Sequence, residues 1–143
     1  MMLFLYTMLL PLFSAYHGTK FALAGVSESM RYETEPFGIK VILVEPLAVK
    51  SNFFRNLKAG QKAAESSSPY TSMAQTMDKA WDHVSDQATP PEEVAKVVLK
   101  AVTSEIPSMR YMVGGDAIQM IEEKNRMSDL EFEGLIKHRF LAQ

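Results

Sequence analysis

Apolar positions change their period several times along this chain, and each change marks an element. Phe21, Ala22, Gly25, Val26 and Met30 recur at helical spacing. They predict a helix that starts at a Ser14 cap, packs through that stripe and runs to about Thr34, where Pro36 and Gly38 end it. Ile39 to Val44 is an unbroken apolar run rich in β-branched residues, which predicts a strand buried on both faces, as in a parallel sheet. The pattern breaks after Pro46. Ser51 to Lys58 suits a short helix at most. Ala59 to Tyr70, with Gly60, three consecutive serines and Pro69, predicts a loop, either a binding lid or a disordered stretch. Met73, Met77, Trp81 and Val84 predict a helix from about Ser72 to Val84, with Trp81 as a core anchor.

Thr89-Pro-Pro-Glu92 predicts the next helix start. Thr89 is the expected cap, Pro90 sits in the first turn and Glu92 completes a capping box. Val94, Ala95, Val98, Ala101 and Val102 form its expected inner face. Met109 to Val113 predicts a second strand, closed by Gly114-Gly115. Ala117 to Phe140 reads as helix with a break near Ser128-Asp129, and Glu122-Glu123 and Glu131-Glu133 as solvated faces. Strand, helix and strand in that order imply a right-handed parallel crossover, so the fold class is α/β.

At 143 residues the chain is one domain's worth. A formal net charge of −2 offers no basic surface to nucleic acid. Without cysteine there is no disulfide framework and no thiolate chemistry. His17, His83 and His138 are scattered without metal-ligand spacing, so no metal site is expected. Met1 to Phe13 is strongly apolar, yet too short for a span and not preceded by a basic residue. A buried segment is the preferred reading, with a small membrane-associated protein as the alternative. A cytoplasmic location fits.

The chemistry centres on Tyr16 and Lys20. Four residues apart on a helix, they lie on one face, a turn apart. A nearby cation stabilises a phenolate and lowers the tyrosine's pKa from its usual ~10. A tyrosine tuned in this way can exchange a proton with a carbonyl or alcohol oxygen. By itself the spacing favours a core-facing aromatic with a solvated lysine, and it is the residues after it that reverse the balance.

The run Tyr16-His-Gly-Thr-Lys20-Phe-Ala-Leu-Ala-Gly, continuing through Glu28-Ser-Met-Arg31 to Pro36-Phe-Gly38-Ile-Lys-Val-Ile-Leu-Val-Glu45-Pro46, resembles the catalytic helix and following strand of the short-chain dehydrogenase/reductase family. At lower specificity the resemblance extends over nearly all of the chain after Phe13. It implies an NAD(P)(H)-dependent oxidoreductase. Tyr16 would be the general acid/base, and Lys20 would bind the nicotinamide ribose and tune the phenol. Pro46-Leu-Ala-Val49-Lys-Ser51 falls where the family has Pro-Gly-x-Val/Ile-x-Thr, a loop that lies against the nicotinamide. Tyr16, Lys20, Pro46, Leu47, Val49 and Ser51 are therefore the expected cofactor-binding residues. Leu47 replaces a glycine and adds bulk, while Ser51 keeps the hydroxyl.

The family's Gly-rich dinucleotide fingerprint and catalytic serine have no counterpart in these residues. The expectation is a single partial domain over 1–143, the C-terminal half of a Rossmann-like doubly wound parallel sheet, lacking the N-terminal dinucleotide-binding half and inactive alone. Stretches such as Arg110-Tyr-Met-Val-Gly-Gly-Asp resemble branches acting on apolar, steroid- or retinoid-like substrates. The resemblance also implies a homo-oligomer through the Ser14–Thr34 helix, and a non-catalytic interaction or dimerisation fragment is the second alternative.

Overall fold

In a strand, consecutive side chains point to opposite faces. Leu43 and Val44 use that alternation to divide the molecule into layers. The computed structural model describes residues 10–53, 56, 67–86 and 88–141. Readings that fall on Met1 to Leu9, on most of Phe54 to Ser66 and on the Trp81 side chain lie outside the described residues.

The described elements are α1 (Ser14–Thr34) with a 3₁₀ turn (Glu35–Phe37), β1 (Leu43–Pro46), α2 (Thr71–Asp86), α3 (Pro91–Thr103), β2 (Arg110–Val113), α4 (Gly115–Arg126) and α5 (Asp129–Phe140). β1 and β2 pair in parallel, with Leu43 opposite Arg110 and Pro46 opposite Val113. On one face Val44 and Val113 join Val49, Val94 and the half-buried Val97, which seats α3. On the other face Leu43 meets Ala24 and Leu23 of α1. A third cluster, of Leu10, Phe13, Met77, Phe132 and Ile136, joins the start of α1 to α2 and α5.

The strand begins later than the apolar run suggested. Ile39 and Lys40 are exposed, and β1 takes in Glu45 and Pro46 instead. Pairing sets its limits, since the ladder opens with the Leu43 N–H donating to the Met109 carbonyl. Pro46 is tolerated at the end of the strand, where a missing N–H does least harm.

The stripe expected to pack α1 faces outward. Phe21, Ala22, Gly25, Val26 and Met30 are all exposed, whereas His17, Ala24 and Ser27 are buried. Polar ties hold this inner face. Arg31 donates from its two Nη atoms to the Val41 and Pro107 carbonyls, each at 2.9 Å. Arg110 bridges two elements: one Nη contacts Glu45 Oε1 at 2.5 Å and the other contacts Glu28 Oε1. Leu43, Glu45 and Arg110 share the α1 face of the strand pair, as the register requires.

Two expected caps take other roles. Phe13, not Ser14, caps α1. Leu12 turns the chain at a left-handed φ of 66°, and the His17 N–H then bonds to the Phe13 carbonyl. Burial of Phe13 and His17 therefore decides where the helix begins, and Ser14 is left exposed. Thr89 extends the ladder instead of capping α3. Its N–H donates to the Ala48 carbonyl and its carbonyl accepts from the Lys50 N–H, both at 3.0 Å. Pro90 takes the cap position. Gly114, at φ 94°, lies against the Thr89 side chain, so any Cβ at 114 would meet Thr89 Oγ1. The break between α4 and α5 falls where expected, with a Ser128–Glu131 capping box. That contact also holds the exposed Glu131 carboxyl below its ordinary range.

Val98, Leu99 and Val102 of α3 lie exposed with Ile106 beyond them, in addition to the α1 stripe. Among the described residues no strand lies on the other edge of β1. We expect residues 1–143 produced alone to self-associate, driven by these apolar faces and the open edge. Light scattering should show species larger than a monomer, reduced by Val26→Glu. A sharp monomer that unfolds cooperatively above ~60 °C would show that these faces are inert.

Candidate active site

Tyr16 lies in the first turn of α1, at the point where three elements meet the exit of β1. Its ring is half-buried against the third apolar cluster, together with Leu47 and Leu135. The Phe13 ring meets it edge-on, with centroids 5.9 Å apart. His17 and Phe53 lie at 5.8 Å. Leu47, where the 48–51 loop leaves, packs on the same cluster as the Tyr16 ring, and Phe53, beyond the loop, meets that ring directly. Among the expected site residues, the structure thus brings Tyr16, Lys20 and Leu47 together.

Lys20 Nζ sits over the Tyr16 ring, 5.2 Å from its centroid. An ammonium there is attracted by the ring's quadrupole. Yet burial pushes the phenol above its ordinary 10.0, against the lowering expected from the lysine. Withdrawal of the phenol from water penalises the phenolate. Burial of the phenol is the cause, and it sets the direction. Tyr16 is therefore a protonated phenol at neutral pH, the form suited to donate a proton.

The other expected residues have distinct environments. Pro46 is fully buried in β1, and Val49 is buried and bridged to Thr89. Their side chains point into the core, so only their backbones can meet a ligand. Leu47 is half-buried and keeps an ordinary negative φ, so the loop follows a path open to any residue here. Ser51 is exposed, and its Oγ accepts from the Phe53 N–H at 3.3 Å. Among the described residues no three His, Asp or Glu side chains gather as metal ligands, and no helix is long and apolar enough to cross a membrane.

Motif reading missed His17 and Glu45. His17 is buried, and its Nε2 accepts the Leu10 N–H at 3.0 Å. An accepting Nε2 carries no proton, so the ring is the neutral tautomer with its hydrogen on Nδ1. This bond ties the segment before α1 to the residue beside Tyr16. Glu45 is buried next to Pro46, and burial pushes its carboxyl above the ordinary 4.5 despite the Arg110 guanidinium. One cation shared between two carboxylates compensates each incompletely. Neither residue carried a local signal, because a histidine after Tyr16 and a glutamate inside an apolar run gain their roles only from non-local partners.

A model of the family described as short chain dehydrogenase matches residues 7–62. The chain is 32% identical over 132 residues to two proteins of Schizosaccharomyces pombe described as uncharacterized oxidoreductases, covering 92% of this chain and 53% of each of them. It is 30% identical over 104 residues to estradiol 17-beta-dehydrogenase 1 of Rattus norvegicus, covering 71% of this chain and 30% of that protein. A solved short-chain dehydrogenase from Streptomyces avermitilis superposes with a TM-score of 0.54 at 30% identity, over 88% of this chain and 46% of that one. The chain thus spans about half the length, or less, of these relatives.

His17→Phe should keep the ring packing and leave the buried Leu10 N–H without its acceptor, at a cost of about 1–3 kcal/mol. His17→Gln, which offers an oxygen, should lose less. Urea unfolding measures both, and equal stability of His17→Phe and wild type would dismiss the bond.

Proposed function

The chain belongs to the short-chain dehydrogenase/reductase family, and from that premise we propose that it carries the proton-transfer half of an NAD(P)(H)-dependent alcohol or carbonyl oxidoreductase. The observation that carries the proposal is the Tyr16–Lys20 pair on α1, set beside the exit of a parallel strand. Ligands of such sheets gather at the carboxyl ends of their strands.

The donor set suits one end of a nicotinamide nucleotide. The Lys20 ammonium would hold the ribose hydroxyls, and the backbone of Leu47 to Val49 with the Ser51 hydroxyl would face the carboxamide. When bound, the nucleotide supplies or takes up the hydride. The protein's own part is the proton. Tyr16 Oη gives it to the carbonyl oxygen in reduction and takes it from the hydroxyl in oxidation. The apolar cluster against which the ring packs keeps it half-buried. The exposed stripe Phe21, Ala22, Gly25, Val26 and Met30 is our candidate for a homo-oligomer surface, and it equally supports the second reading, a non-catalytic interaction module. A Rossmann-like sheet and a cytoplasmic location accord with the family.

No Gly-rich turn among these 143 residues can cradle a pyrophosphate. Residues 1–143 alone should therefore show neither dehydrogenase activity nor saturable micromolar binding of NADH or NADPH. Fluorescence of Trp81, the single tryptophan, follows the titration. Saturation at micromolar cofactor would overturn this.

In a form of the enzyme that also has a phosphate-binding turn, Tyr16→Phe should reduce turnover by ~10²-fold or more with cofactor affinity kept. Lys20→Ala should damage both. Because burial raises the phenol, carbonyl reduction should hold its rate through neutral pH and fall only as pH rises past the ordinary 10.0, while alcohol oxidation gains over that range. Turnover against pH in both directions is the measurement. More than about a tenth of wild-type turnover in Tyr16→Phe would remove Tyr16 from the acid role.

A further inference from the structure

Among the described residues, the apolar seat of α1 on the strands is small: Leu23 and Ala24 against Leu43. Such a contact buries surface without fixing rotation, because apolar burial is non-directional. Direction comes from two arginines. Arg31 fixes the far end of α1 to the Val41 and Pro107 carbonyls. Nearer the site, Arg110 of β2 contacts Glu28 of α1 with one Nη and Glu45 of β1 with the other. Glu45 immediately precedes Pro46 and the 47–51 loop. Glu28 lies eight residues beyond Lys20, about 12 Å along the helix.

We propose that Arg110 is a positioning residue: by holding Glu28 and Glu45 at once, it sets the rotation of the helix bearing Tyr16 and Lys20 relative to the strand whose exit bears Leu47 to Ser51. Two carboxylates on two elements require two separate donors at a fixed angle. A guanidinium provides them, and an ammonium is a single point. Released from Glu28, α1 keeps its Arg31 ties and its Leu43 contact, and turns about them. That turn moves the Tyr16 ring against Leu47 and Phe53 and moves Lys20 with it.

The proposal deepens the catalytic reading, but its test does not depend on it, because the readout is the environment of Tyr16 and not turnover. Glu28→Ala cuts the tie to α1 and leaves Arg110 with Glu45. Glu28→Gln keeps an accepting oxygen without the charge. Tyr16 ionisation is followed by tyrosinate absorbance, as the difference between each variant and its Tyr16→Phe counterpart. Urea unfolding runs in parallel. We expect Glu28→Ala to change the Tyr16 ionisation constant roughly threefold or more, with the unfolding midpoint little altered. Glu28→Gln should fall between Ala and wild type. Arg110→Lys should behave like Glu28→Ala where it folds. An unchanged Tyr16 titration in Glu28→Ala would overturn the proposal, whether or not the midpoint falls. So would a Glu28→Gln variant as displaced as Glu28→Ala.

Discussion

The orientation of α1 on the strand pair rests on two arginines, one of them shared by two carboxylates. The apolar contact available there is a leucine of the strand against an alanine and a leucine of the helix. The residues over the next two turns of that face are Ser27, Glu28 and Arg31, which cannot be buried without partners. Arg110 answers that need for Glu28 and Glu45 together, and Arg31 spends its donors on two carbonyls. Everything that α1 carries, including Tyr16 and Lys20, is oriented through those contacts.

The arrangement is taut in charge. Two carboxylates face one cation, and Glu45, the more buried of them, has its carboxyl raised above the ordinary range. Only Glu45 of the three side chains is buried, and the cost of taking its charge out of water offsets part of the attraction to Arg110. Its sign follows from the direction of the shift. A raised carboxyl favours the folded chain below its unfolded value near 4.5, and that contribution is lost as pH rises through the folded value. At neutral pH Glu45 is therefore a burden that the Arg110 contact lessens, which suits a residue kept for geometry.

Much of this was legible in the chain, and the failures share a cause. The Tyr16–Lys20 turn, the strand expected over Met109 to Val113 and found at Arg110 to Val113, and the helix break near Ser128-Asp129 are local, so short patterns revealed them; the Ser128–Glu131 capping box at that break was not read from the sequence. The inner face of α1 was not legible, because its buried side chains include His17 and Ser27 while the outer face carries Phe21, Val26 and Met30. Periodicity follows the apolar side, and here the polar side is the one that meets the protein. Thr89 read as a cap because Thr-Pro-Pro-Glu92 is a good capping sequence. Its ladder with Ala48 and Lys50 depends on residues forty positions away. Leu47, expected to add bulk beside the site, does lie against the Tyr16 cluster, yet the rise in the phenol's pKa needed the whole cluster to be seen.

That rise connects the two ends of the chain. Tyr16 belongs to a candidate reaction centre and also to an apolar cluster that includes Met77 of α2 and Phe132 and Ile136 of α5. A phenol that shares walls with a core takes its proton affinity from how well the core is packed. Loosening α5 would admit water, lower the phenol towards its ordinary value and shift it from a resident acid towards a group that cycles more readily. Tightening α5 would do the reverse. Helices distant in sequence thereby act on the proton through dryness, while Arg110 acts through orientation. The single residue Tyr16 registers both, which is why packing and chemistry cannot be varied independently at this end of α1.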